Sequence, residues 1–225
     1  MKDKSRSLLP KWLQDGFVNL LTPLVKLFSK WNLNPNYFTI WGLIITSMGT
    51  VVIFAWPDYI RLAGALILIG GICDILDGKL ARTSGRVTKF GALFDSAIDR
   101  YSEVIMFFGI AAYYVRHDNY VLSVIAFVAL GGSTMVSYVR ARAEALGFEA
   151  KVGMMQRPER VVLIGSGAFL YYKIFDITIF HVTDFPVTLL EIALWMVAIF
   201  ANYTAIHRLI HVYKQDKANS QEEVK

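Results

Sequence analysis

Six long apolar blocks constrain this chain more than anything else in it. They lie at about 37–56, 60–82, 91–115, 119–143, 158–180 and 185–212. Each is long enough to cross a hydrocarbon core of about 30 Å at 1.5 Å per residue. In lipid, backbone groups must find their hydrogen bonds inside the segment, so the pattern predicts an all-α integral membrane protein of six transmembrane helices. Composition agrees: 18% of residues are charged, against about 25% in a soluble domain, and the mean hydropathy is +0.45.

Ahead of the first block, "LPKWLQDGFVNLLTPLVKLFSKW" spaces its apolar residues helically, with Lys11, Lys26 and Lys30 between them. That predicts an interfacial amphipathic helix; the competing reading is a soluble helix packed on the loops. The chain thus divides into a cytoplasmic N-terminus over 1–35, a membrane domain over 36–213 and a polar, disordered tail over 214–225. Basic residues gather before block one, around Arg86 and Lys89, around Lys151 and Arg157, and after block six. Positive charge on one side of the blocks puts both termini in the cytoplasm of a multi-pass protein of the cell membrane. The net charge of +5 therefore points to membrane lipids rather than nucleic acid as the partner. The single cysteine, Cys73, excludes an internal disulfide.

Against this background, residues 73–99 are anomalous: Asp74, Asp77, Asp95 and Asp99 sit at the ends of two apolar blocks on the cytoplasmic side. At 100° per residue, Asp74, Asp77, Gly78 and Ala81 form one stripe of the second helix, and Gly91, Asp95 and Asp99 one stripe of the third. Carboxylates converging in a dehydrated place repel one another unless cations hold them. Hard ions such as Mg²⁺ or Mn²⁺ suit oxygen ligands, and two such ions suit a diphosphate under attack. Arg82 adds a fixed charge for phosphate oxygens. Helical spacing alone leaves two other readings open. One is a cation pathway or proton relay in a transporter. The other is a soluble isoprenoid-type synthase, which the apolar blocks argue against.

Written out, the stretch is Asp74-x2-Asp77-Gly78-x2-Ala81-Arg82-x8-Gly91-x3-Asp95-x3-Asp99. It resembles, without departure, the signature of the CDP-alcohol phosphotransferases, and the six-span pattern extends the resemblance over most of the chain. The resemblance implies a homodimeric membrane enzyme that passes a phosphatidyl group from CDP-diacylglycerol to an alcohol and releases CMP. It implies that Asp74, Asp77, Asp95 and Asp99 hold the metal, with Asp99 also the general base. It implies CDP-lipid contacts from Gly78, Arg82 and Thr88, and from Asn36, Tyr37, Phe38 and Thr39 in "NPNYFTI".

The acceptor is read from arginines. "SYVRARAEALG" carries Ser137 and Arg140, "QRPER" carries Arg157, and "HRLIHV" carries Arg208. The bland reading is positive-inside anchoring with local Arg–Glu pairs. The sharper one is a pocket for a phosphorylated polyol. Here the chain is similar to one branch of the family, the bacterial phosphatidylinositol-phosphate synthases, which implies inositol phosphate as acceptor, bound by Ser137, Arg140, Arg157 and Arg208. Arg140 stands where that branch has lysine, and the two are not interchangeable. Glycerol 3-phosphate therefore stays open as the acceptor.

Overall fold

The computed structural model describes residues 11–171, 173–178 and 184–223. Two short helices, α1 (Lys11–Leu20) and α2 (Thr22–Lys30), precede α3 (Pro35–Ala55), α4 (Ile60–Thr83), α5 (Lys89–Arg116) and α6 (Tyr120–Ala145). After them come α7 (Arg157–Phe169), an antiparallel pair of strands, β1 (Lys173–Thr178) and β2 (Asp184–Thr188), and the long α8 (Leu189–Glu223). The helix starts are written in the chain. The Asn34 side chain accepts from the Asn36 N–H at 3.0 Å, with Pro35 in the first turn of α3. The Thr88 hydroxyl accepts from the Gly91 N–H at 2.9 Å to open α5.

Four helices are long and apolar enough to cross a membrane: Pro35–Ala55, the Pro57–Thr83 stretch, Tyr120–Ala145 and Leu189–Gln221. The six spans expected from the sequence are thus met in four. At 28 residues α5 has the length, but Asp95, Asp99, Arg100 and Glu103 dilute its hydropathy. The expected fifth span, 158–180, is corrected more deeply. Its helix has 13 residues and gives way to β1, where the β-rich "KIFDIT" pairs with β2; residues 172 and 179–180 lie outside the described residues. Of the disordered tail expected over 214–225, residues 224–225 lie outside the described residues, and residues 214–223 are helical instead, for α8 continues to Glu223. Gln215 docks it: its side chain accepts from the Glu149 N–H at 3.2 Å and donates to the Glu149 carbonyl at 2.6 Å. The lysine, glutamine and glutamate that follow are good helix formers.

The amphipathic segment is two helices. They meet at Leu21, which with Val25 is buried against Leu76 and Leu80 of α4, while Trp12, Leu20 and Trp31 stay exposed. Lys79 ties them down, its ammonium donating to the Val18 carbonyl at 2.5 Å and to the Thr22 hydroxyl at 2.6 Å.

Ile53, Ile67, Phe107, Ile110, Ile164 and Leu194 stand in the centre of the bundle. Outside it, Trp41, Met48, Phe108, Val124, Ile199 and Ile206 are exposed, an apolar exterior suited to lipid rather than water. Two contacts tie the far ends of the less apolar helices to their neighbours. Arg116, ending α5, donates to the Phe54 carbonyl at the far end of α3 (2.9 Å). Beyond α7, the Tyr171 carbonyl accepts from Arg61 at the start of α4 (3.3 Å).

Candidate active site

Helices α4 and α5 are joined by the short link 84–88, which returns the chain beside itself and faces the two aspartate stripes towards one another. Asp77 is buried and its Oδ2 accepts from the Thr39 hydroxyl of α3 at 2.6 Å. Gly42, one turn further along α3, makes room for Asp74: a methyl there would stand 3.0 Å from Asp74 Oδ1 and 3.2 Å from the Gly70 carbonyl. All four carboxylates lie within electrostatic reach of one another.

Their counter-charge is Arg157, the first residue of α7. One guanidinium nitrogen meets Asp74 Oδ2 at 2.8 Å and the other Asp99 Oδ1 at 2.7 Å. A planar fork between two carboxylates on different helices is a geometry only arginine supplies. One turn along both helices the pattern repeats, buried: Arg160 Nε meets Glu103 Oε1 at 2.7 Å, and Arg160 Nη1 donates to the Met155 carbonyl at 3.0 Å. Beneath Asp74 and Arg157 a cavity of about 10 Å³, lined also by Thr46, Ser102 and Glu103, holds a single water at most. It is too small to admit a substrate.

As ion ligands the four aspartates fit by chemistry: they are hard oxygen donors on two facing helices, suited to Mg²⁺ or Mn²⁺ rather than to a softer metal. Among the described residues, no three acidic, histidine or cysteine side chains yet enclose a common point. Arg157 stands between two of the four and supplies the positive charge that holds them together.

The other expected site residues divide. Of the segment Asn36–Thr39, Thr39 reaches the carboxylates directly, whereas Phe38 packs on Phe28 of α2 with ring centroids 4.9 Å apart. Asn36 is half-buried and Tyr37 exposed. Thr88 caps α5. Gly78 borders the Arg82 guanidinium, 3.8 Å from where its Cβ would be. In the arginine group, Arg157 joins the aspartates. Arg140 pairs with Glu144 at 2.9 Å on the exposed face of α6, the local pairing of the bland reading. Arg208 is buried, donating to the Val152 carbonyl at 2.9 Å and the Val136 carbonyl at 2.6 Å. It therefore lies beside half-buried Ser137 and within electrostatic range of Arg140 and Arg160. The Glu103–Arg160 pair escaped the sequence reading, although its signal was there: Glu103 follows Asp99 by one turn, as Arg160 follows Arg157.

Residues 32–203 match the family of CDP-alcohol phosphatidyltransferases. Among similar proteins, the phosphatidylinositol phosphate synthase of Mycobacterium tuberculosis is 30% identical over 215 residues, 92% of this chain and 92% of its own. The archaetidylinositol phosphate synthase of Pyrococcus horikoshii is 36% identical over 186 residues, 82% of this chain and 89% of its own. The crystal structure of the M. tuberculosis synthase with CDP-DAG bound superposes with a TM-score of 0.70 at 28% identity, covering 87% of this chain and 94% of that one. The same synthase solved with manganese and citrate also gives 0.70, over 85% and 88%. With its aspartates in place on two facing helices, this chain belongs to the CDP-alcohol phosphatidyltransferase family.

Proposed function

We propose that the protein transfers the phosphatidyl group of CDP-diacylglycerol to inositol phosphate. The observation that carries the reading is the aspartate cluster on α4 and α5 with Arg157 across it, in a chain whose relatives are named for inositol phosphate products. In the proposed step the acceptor hydroxyl oxygen bonds to the phosphorus bearing the diacylglycerol. The bond from that phosphorus to the oxygen bridging it to CMP breaks, and CMP leaves with the electron pair. Asp99 takes the hydroxyl proton at a carboxylate oxygen. Divalent ions, two of Mg²⁺ or Mn²⁺, held by Asp74, Asp77, Asp95 and Asp99, supply positive charge to the diphosphate when bound. Asn36, Tyr37, Phe38, Thr39, Gly78, Arg82 and Thr88 serve the CDP-lipid. Ser137, Arg140, Arg157 and Arg208 serve the acceptor phosphate, Arg157 being already in contact with the aspartates.

In this reading α5 and α7 complete a six-helix membrane domain, α1 and α2 lie at the interface, and the site opens to the cytoplasm of the cell membrane. A homodimer follows from resemblance to the family.

The test is CMP release by purified protein with CDP-diacylglycerol and divalent metal, each acceptor supplied separately. Release with inositol phosphate, abolished by Asp99→Asn in a protein that still inserts, is the expected result. Release with glycerol 3-phosphate alone would overturn the acceptor and keep the chemistry, an outcome that Arg140 in place of lysine makes worth including. No CMP with any acceptor, and ion flux instead, would sink the reading.

A further inference from the structure

Arg86 lies in the α4–α5 link, within the eight unspecified positions of the aspartate signature. Its backbone N–H donates to the Ala81 carbonyl at 3.0 Å, just after Gly85 at φ +66. That is the six-to-one closure of a helix end, and it aims the Arg86 side chain out of α4. Helix α2 ends the same way. Asn32 takes φ 56, its N–H donates to the Ser29 carbonyl at 3.1 Å, and the Leu33 N–H donates to the Phe28 carbonyl at 3.3 Å.

The guanidinium of Arg86 joins the two ends. Nη1 donates to the Asn32 carbonyl at 3.1 Å and to the Leu33 carbonyl at 3.4 Å, and Nη2 donates to the Asn32 side-chain oxygen. Two residues beyond Asn32 is Asn34, the cap of α3; two residues beyond Arg86 is Thr88, the cap of α5. The clasp therefore fixes the spacing of two helix starts that face each other: a Cβ on Gly91 would lie 3.8 Å from Asn36 Oδ1.

We propose that Arg86 is a positioning residue for the CDP end of the lipid substrate, holding Asn36–Thr39 and Thr88–Gly91 at the separation that the nucleotide diphosphate spans. This rests on the assignment of those two segments to the CDP moiety. Arg86 acts through its contacts to Asn32 and Leu33. If it were merely glue between helix ends, its loss would lower the melting temperature and leave substrate affinity alone.

The experiment uses the full chain in detergent, comparing wild type with Arg86→Ala, Arg86→Lys, Asn32→Gly and the Arg86→Ala/Asn32→Gly pair. CDP-diacylglycerol binding is titrated calorimetrically, and KM and kcat are measured for both substrates. Arg86→Ala should raise Kd and KM for CDP-diacylglycerol about tenfold, the scale of one or two lost hydrogen bonds, with kcat and the acceptor KM within about twofold. Arg86→Lys should recover only part, since an ammonium lacks the planar fork. The double variant should be no worse than Arg86→Ala, because both changes act on one contact. Unchanged Kd beside a lowered melting temperature would overturn the proposal, and so would a loss confined to kcat. If wild type binds CDP-diacylglycerol but releases no CMP, the proposed reaction fails while the Kd ratio still decides Arg86. If wild type binds none, both fail together.

Discussion

The hydroxyl of Thr39 donates to Asp77 from a neighbouring helix, and both groups are buried. A hydrogen bond to a buried carboxylate contributes about 1.5–3 kcal/mol, and this one also fixes which way the carboxylate points. Thr39→Val keeps the shape and the β-branch but removes the donor. It should lower kcat/KM about tenfold to a hundredfold, whereas Thr39→Ser should keep most of the activity. Steady-state CMP release by the two variants checks this; equal loss in both would mean that the methyl, not the hydroxyl, is needed. At this scale the signature aspartates were legible because helical periodicity and fixed spacing survive in one dimension. The Thr39–Asp77 bond was not, since it joins residues 38 positions apart and needs the packing of α3 on α4. The same holds for Arg157. The sequence offered it to an acceptor phosphate, and the fold sets it between Asp74 and Asp99.

Between elements, α5 and α7 are joined by two rungs, Asp99–Arg157 nearer the start of both helices and Glu103–Arg160 one turn further along. The second rung is almost wholly inaccessible, with side-chain exposures of 4% and 0%. A buried pair gives little net stability, because desolvation offsets the attraction, but breaking it leaves an uncompensated charge. Glu103→Ala should therefore destabilise the protein by about 3–5 kcal/mol. Glu103→Leu combined with Arg160→Met should recover most of that loss and still lower turnover, because α7 would no longer be held in register for Arg157. Denaturation in detergent and CMP release separate the two effects. Full activity in a stable double variant would show that the rung plays no part in placing Arg157. The start of α3 was readable from Pro35, which follows the capping Asn34. The length of α7 was not: an apolar run of 158–180 reads as one span, and only strand pairing of Lys173–Thr178 with Asp184–Thr188 divides it.

For the whole molecule, the proposed six-helix reading must accommodate α5, which is not among the four helices apolar enough to cross, and α7, only 13 residues long. Their contacts agree with that reading. Helix α5 starts where Gly91 approaches Asn36 at the head of α3, and it ends where Arg116 bonds Phe54 at the foot of α3. It therefore covers the same distance as a helix apolar enough to cross. Helix α7 starts at Asp74, with Arg157, and the chain just beyond it meets Arg61 near the start of α4. Asp74 already lies about 14 Å inside the α4 end at Thr83, at 1.5 Å per residue. The link between α6 and α7 thus dips to the level of the site, and a short helix is enough to run from there to the opposite end. In the proposed six-helix reading, the α5–α6 turn lies on one side of the membrane, and the α4–α5 and α6–α7 links on the other. In a Cys73→Ala background, a cysteine replacing exposed Tyr120 should react with an impermeant maleimide added outside sealed cells. A cysteine replacing Lys151 should react only after the membrane is opened. Reaction of both from the same side would mean that α6 does not cross. Reaction of Lys151→Cys alone from outside would invert the arrangement and put the aspartates on the external face, against the proposed cytoplasmic site.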